Sequence, residues 1–212
     1  MKALIIDTSL EISHIILLQD YEIIYFKKFE NVNLSKELFT NLEKILHDTK
    51  TDISTLKYIA ASIGPGSFTS LRVGATIAKT FSYAKNIPLI SFTSMQAFRP
   101  HFDTKFIVAF DAKSEGIFII EAEEINEKIN YLSKPKLMNI EEATALIEKT
   151  KIVITPHIDI LKEKFEIFKN KFQKRSFDPH LLIDVTNNLF SNKKFEDINN
   201  FKLLYLRGPK HS

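Results

Sequence analysis

Gly64-Pro65-Gly66-Ser67-Phe68-Thr69-Ser70-Leu71-Arg72-Val73-Gly74 follows directly on the apolar run Tyr58-Ile59-Ala60-Ala61-Ser62-Ile63. The chain has only five glycines in 212 residues, and three of them stand in this one stretch. The usual share is about 7%, so glycine sits here where the backbone has a special task. Gly64 and Gly66 around Pro65 read as a sharp structural turn leaving a strand, because glycine alone enters positive φ cheaply and proline presets φ. Ser67 or Thr69 then caps a helix expected to run to Lys85. Within it Gly74 and Ala78 share a face with Leu71 and Phe81, so another backbone can come close.

Outward from the turn, the N-terminal half reads β-β-β-α-β-α-β. Lys2–Asp7, Ile12–Leu18 and Glu22–Phe29 are strand-like runs separated by polar turns, which predicts a meander. A helix follows from Ser35, read as its N-cap, to His47, with Leu38, Leu42, Ile45 and Leu46 on one side. Lys57–Ile63 and Pro88–Phe92 are the remaining strands. The second half restarts in the same way. Lys105–Asp111 ends in an acidic residue as Lys2–Asp7 does, Gly116–Glu121 returns, and Lys128–Ser133 is a weaker third strand. Asn139 is expected to cap a helix through Lys149, Lys151–Thr155 to form a strand, and Pro156 to stand in the first turn of the next helix. Ile158, Leu161, Phe165, Phe168 and Phe172 recur every three or four residues, which predicts one amphipathic helix. Two halves that each open strand-Asp-turn-strand point to an ancient duplication, with lobes over 1–98 and 99–212 and a frayed tail at Gly208–Ser212.

Composition narrows the class. A hydrophobic fraction of 44% and 18 phenylalanines suffice for a sizeable core. The lack of cysteine excludes a disulfide framework and thiolate metal sites. No apolar run approaches the ~18 residues of a membrane span, so a soluble, cytoplasmic chain without a membrane partner is expected. The formal charge of +3 from 29 basic and 26 acidic residues is no argument for nucleic acid. One segment is locally basic: Lys162, Lys164, Lys169, Lys171, Lys174 and Arg175 against Glu163 and Glu166. An ordinary solvated helix face is favoured there over an RNA patch.

The glycine-rich run resembles the GPGSFTGLRIG signature of the bacterial TsaB (YeaZ) family, glycoprotease-like homologues of TsaD. Every position but one matches or is conservatively replaced; Ser70 stands where the family usually has glycine, a change a helix interior favours. The likeness extends through Ile5-Ile6-Asp7-Thr8-Ser9, Ile87-Pro88-Leu89, Thr93-Ser94-Met95-Gln96-Ala97-Phe98, Asp111-Ala112-Lys113 and Leu204-Tyr205-Leu206-Arg207. Between Glu121 and Asn200 it is faint. The resemblance implies an α/β chain of two actin-like ATPase (ASKHA) lobes, each a ribonuclease H-like motif, which agrees with the duplication.

In actin-like ATPases the two strand-ending acids flank the phosphates, and glycine-containing hairpins admit them. Here Asp7 is followed by Thr8-Ser9 and Asp111 by Ala112-Lys113, with no hairpin glycine before Gly116. No cofactor is therefore expected, and both acids read as caps of turns. Catalytic homologues hold a metal with His-x-x-x-His on the first helix; the matching stretch Asn31–Leu38 has no histidine. His47 lacks a partner one turn away, and His14, His101, His157, His180 and His211 show no ligand spacing, so no metal is expected. Gly64–Phe68 lacks the Gly-x-Ser-x-Gly of a nucleophile elbow and the Gly-Lys-Ser/Thr of a Walker loop. A weakly held anion at this turn is the lesser alternative to a purely structural role. For Arg72, bidentate pairing across a helix contact and a surface ion pair both stand open.

The resemblance thus implies a degenerate, non-catalytic paralogue: a dimerisation and scaffold subunit of the complex that installs threonylcarbamoyladenosine beside the tRNA anticodon. Its implied partners are the catalytic subunit TsaD, the ATPase TsaE and a second copy of itself, with tRNA touched only indirectly or weakly. The partner surface is expected on the first two helices, at Leu38, Phe39, Leu42, Leu71, Arg72, Gly74, Ala75, Ala78 and Phe81. A stand-alone actin-like kinase or ATPase is the alternative, and intact glycine hairpins would mark it.

Overall fold

A computed structural model describes residues 1–204. Its contacts divide into two compact units, Met1–Ser94 with Pro179–Leu204, and Met95–Asp178.

The first unit opens with the meander β1 (Lys2–Asp7), β2 (Ile12–Gln19) and β3 (Glu22–Glu30), all antiparallel. Asp20 and Tyr21 both take positive φ between β2 and β3, the geometry that two-residue hairpins require. After α1 (Leu34–Asp48) come β4 (Leu56–Ser62), α2 (Phe68–Lys85) and β5 (Leu89–Phe92). β4 lies parallel to β1, and β5 parallel to β4, which gives the sheet order β3-β2-β1-β4-β5. β1 is apolar on both faces because it is central and covered on both. One face carries Leu4, Ile6, Ile15, Leu17, Ile59 and Ala61 against Leu38, Leu42 and Ile45 of α1 and Ala78 of α2.

The second unit repeats this order. β6 (Thr104–Asp111), β7 (Ile117–Ile125) and β8 (Lys128–Tyr131) form an antiparallel meander, and β9 (Lys136–Met138) also pairs with β7. After α3 (Ile140–Lys149), β10 (Val153–Thr155) joins β6 in parallel. α4 (Ile158–Lys164) then leads to β11 (Phe172–Lys174), parallel to β10, so the sheet runs β11-β10-β6-β7-β8. Last, α5 (Pro179–Ser191) returns to the first unit. There the Tyr58 hydroxyl lies 3.0 Å from Thr186 Oγ1 and donates to Asn187 Oδ1 at 2.8 Å, while its ring packs on Phe190. The expected lobes are contiguous segments; the compact units are not, since α5 follows the second yet packs with the first.

Capping follows the sequence in two helices of three. Ser67 is the N-cap of α2, with its Oγ accepting from Ser70 N–H. Asn139 and Glu142 close a reciprocal capping box on α3, at 2.8 and 3.0 Å. α1 instead starts at Leu34, one residue before the expected Ser35 cap. Its N-cap is Asn33 at φ 52°, which contributes its carbonyl to the amides of Lys36 and Glu37 and makes no side-chain cap. Pro156 precedes the α4 N-cap, His157, and so stands outside the first turn.

The single helix expected over 158–172 breaks after Lys164. Phe165 leaves helical geometry, Glu166–Lys171 form a 3-10 turn, and Phe172 enters the sheet opposite Val153. Ile158, Leu161, Phe165, Phe168 and Phe172 nonetheless all pack into one core with Ile107, Ala143 and Ile147. Sheet pairing outweighs helix periodicity here, and Lys171 Nζ helps by capping the α3 carbonyls of Ile147 and Glu148 at 3.0 and 2.6 Å. The expected tail Gly208–Ser212, and Tyr205-Leu206-Arg207 before it, lie outside the described residues.

Candidate functional site at the strand ends

Asp7 ends β1, and its side chain is almost wholly buried. Its Oδ1 accepts from Ser9 N–H at 2.9 Å and from Ser94 Oγ at 3.0 Å. Ser94 Oγ in turn lies 2.6 Å from Ser62 Oγ and accepts a short hydrogen bond from Ser9 Oγ. The four side chains meet because β1, β4 and β5 are neighbours and end side by side. Asp7 Oδ2 has no partner among the described residues. Burial pushes the Asp7 carboxyl up from its ordinary value of 3.8, against the opposing pull of the hydrogen bonds from Ser9, Ser94 and Ser62.

The glycine turn closes over this cluster. Gly64, at φ 108°, donates its N–H to Ser62 Oγ at 3.1 Å and accepts from Ser94 N–H at 3.3 Å. Ser67 N–H donates to the Ser9 carbonyl at 2.9 Å. Gly66 lies so close to the β1–β2 hairpin that a Cβ there would stand 2.1 Å from the Ser9 carbonyl oxygen. The turn and the hairpin thus occupy each other's space, and the backbone N–H of Ser67 is spent on the hairpin. Across β1–β2, His14 pairs with Asp7 and stacks on Phe26. Burial, reinforced by the Lys28 charge, lowers its imidazole from 6.5 to about 4.

The second unit repeats the turn with different chemistry. Lys113 N–H donates to Asp111 Oδ1 at 3.0 Å, as Ser9 N–H does to Asp7. Asp111 is ion-paired: Lys164 Nζ approaches its Oδ1 at 2.6 Å and also donates to the Lys113 carbonyl at 2.6 Å. The Asp111 N–H donates to His157 Nδ1 at 3.2 Å, which makes that nitrogen the acceptor of the ring. Among the described residues, no group of three or more His, Cys, Asp or Glu side chains could hold a metal ion.

The nine residues expected at a partner surface separate. Leu38, Leu42, Leu71, Gly74, Ala75 and Ala78 are buried within the chain itself, so they are not presented at its surface. The helices turn their small and aliphatic face inward because the sheet beneath needs covering. Phe81 is half-buried against that core. Phe39 is 57% exposed, and Arg72 is exposed with its guanidinium 3.8 Å from the centroid of the Phe68 ring. That cation–π contact is a third role for Arg72, beyond the two left open. In the basic segment, Lys164 serves Asp111, Lys171 serves α3, and Arg175 donates to Pro100 O and Gln173 Oε1, each at 3.0 Å. Half of its six cations therefore act within the fold.

The residues that sequence reasoning missed are Ser9, Ser62, Ser94 and Lys164. Ser9 carried a local signal, since a residue two beyond an Asp offers the N–H of an Asx turn. Ser62 and Ser94 become legible only once the strand order is known.

Against known proteins, the family model for TsaD, tRNA N6-adenosine threonylcarbamoyltransferase, matches residues 31–202. The chain is 27% identical over 188 residues to the tRNA threonylcarbamoyladenosine biosynthesis protein TsaB of Buchnera aphidicola, covering 77% of this chain and 79% of that one. The chain belongs to the TsaB (YeaZ) family. A second TsaB protein, from Bacillus subtilis, is 31% identical over 126 residues, covering 56% of this chain and 53% of its own length. The solved YeaZ of Pseudomonas aeruginosa superposes with a TM-score of 0.77 at 13% identity, covering 97% and 99% of the two chains. The YeaZ fold is therefore retained where sequence likeness has faded.

Proposed function

We propose that this TsaB-family chain is a non-catalytic subunit of threonylcarbamoyladenosine biosynthesis that binds and supports the transferase TsaD. The observation that carries this reading is the closure over Asp7. The acid that would face phosphate in an actin-like ATPase is buried among serines, under a turn that a single added Cβ at Gly66 could not enter. Its counterpart Asp111 is neutralised by Lys164. Neither acid is set up to receive a nucleotide, so the retained value of the fold lies in its surface.

That surface is the outer side of α1 and α2, where Phe39, Phe68 and Tyr83 are 57%, 49% and 77% exposed. Aromatic side chains with an accompanying arginine are the usual anchors of protein interfaces. TsaD binds there, and a second copy competes for the same face. TsaE joins the assembly as its ATPase, tRNA is contacted mainly through TsaD, and the work takes place in the cytoplasm.

Reconstitution tests it: the purified chain, TsaD and TsaE are assayed singly and together for threonylcarbamoyladenosine formed in tRNA. Modification should need both TsaD and this chain, and the chain alone should neither modify tRNA nor hydrolyse ATP. Turnover by the chain alone that is abolished in Asp7→Ala would establish an enzyme instead.

A further inference from the structure

The second unit contains a cavity of about 400 Å³ that the threonylcarbamoyladenosine reading does not use. It lies at the end of the sheet where β6 begins, bounded by the C-terminal end of α3 and the chain after β8. Apolar residues of the sheet line it: Phe106, Ile107 and Ala122 belong to β6 and β7 and are buried. Leu146 of α3 and Leu132 line its walls, and Leu132 is 54% exposed. A volume of several hundred Å³ with an apolar lining and a few polar groups is the usual make-up of a small-molecule site.

The rim is what sets the ligand's charge. Lys105, Lys149 and Lys151 all line the opening, and no carboxylate of the described residues lies within ion-pair distance of any of them. This contrasts with Lys164 and Lys171 nearby in sequence, which are held by intramolecular acceptors. Two acids share the lining, Asp103 and Glu121, and Asp103 already accepts from Asn126 N–H at 3.0 Å. Three cations against two acids leave the lining net positive, and a concave surface focuses that potential.

We infer that this cavity binds small amphipathic anions: an apolar, preferably aromatic body seated on Phe106, Ile107 and Ala122, with a carboxylate, sulfonate or phosphate held by Lys105, Lys149 and Lys151. The site is independent of the α1–α2 surface and of Asp7, so it stands or falls separately from the role in tRNA modification.

The probe is 8-anilinonaphthalene-1-sulfonate, followed by fluorescence with the full chain in its folded state. Saturable binding to one site is expected. The pair Lys149→Glu with Lys151→Glu should weaken it about tenfold or more, since each reversal turns an attraction into a repulsion. Leu132→Asp should weaken it through the wall. All three positions are exposed, or in the case of Leu132 mostly so, and circular dichroism should be unchanged. Competition then separates the sources of the anion: displacement by 2-naphthoate supports an aryl carboxylate, and displacement by adenosine monophosphate supports a nucleotide-like phosphate. Neutral 2-naphthalenemethanol should compete far less than 2-naphthoate. Dye binding that none of these variants changes, or equal competition by the neutral alcohol, would overturn the inference.

Discussion

Thr8 and Gly74 are made for each other. A Cβ built on Gly74 would stand 2.4 Å from Thr8 Oγ1, which itself donates to the Ser70 carbonyl at 2.7 Å. The smallness of Gly74 is therefore spent inside the first unit, where it lets α2 lie against the β1–β2 hairpin. Gly74→Ala should lower stability by about 1–3 kcal/mol despite alanine's better helix propensity. Thr8→Ala with Gly74→Ala should recover most of that loss, and urea midpoints of the single and double variants measure the coupling.

The glycine turn gives a sharper test. At Gly66 the clash is with backbone, the Ser9 carbonyl, so no side chain can yield. Gly66→Ala should cost about 2–4 kcal/mol, by displacing the hairpin from the turn. Unchanged thermal unfolding with loss of nucleotide or phosphate binding would instead reveal a ligand loop.

Asp7 predicts a dependence on pH. Because its folded pKa is raised, its contribution to stability is complete below about 3.8 and is lost as pH rises through the folded value. Asp7→Asn removes this loss, so the Tm difference between variant and wild type should move in the variant's favour from pH 4 to pH 8.

His14 works in the opposite sense. Its folded pKa lies near 4 against 6.5, so its stabilising contribution is present above 6.5 and disappears as pH falls toward 4. His14→Gln should flatten the acid limb of the unfolding free energy against pH, measured by urea denaturation, by an amount on the order of 2 kcal/mol.

For the partner surface, Phe39→Asp and Tyr83→Asp should weaken association with TsaD tenfold or more while leaving the melting temperature nearly unchanged, because both side chains are exposed. Ala78→Trp should fail at the earlier step of folding, since Ala78 lies in the core between α2 and the sheet. Light scattering of mixtures, with circular dichroism of each variant alone, distinguishes these outcomes.

How much of this was readable beforehand depended on the range of the forces involved. The succession of elements in the first unit, a meander and then alternating helices and strands, followed from local patterns. Ser67 and Asn139 were recognisable caps because a cap acts over three residues. The break after Lys164 was not legible, for it is imposed by β10 lying alongside. The burial of Leu38, Leu42 and Ala78 was a matter of which face of an amphipathic helix meets the sheet. An aliphatic stripe signals a contact without naming its partner, and here the partner is the chain's own core. The serine cluster on Asp7 was hidden for a related reason: Ser9, Ser62 and Ser94 are far apart in sequence, and only the alignment of three strand ends unites them.

The return of α5 has a consequence for synthesis. Tyr58 is made early but meets Thr186, Asn187 and Phe190 only after the whole second unit has left the ribosome. Until then its hydroxyl and the sheet around it lack their cover, and the first unit waits, nearly complete, on α5. A chain that stops before Pro179 should therefore leave the Tyr58 side of the first sheet without its cover and lower the stability of the first unit.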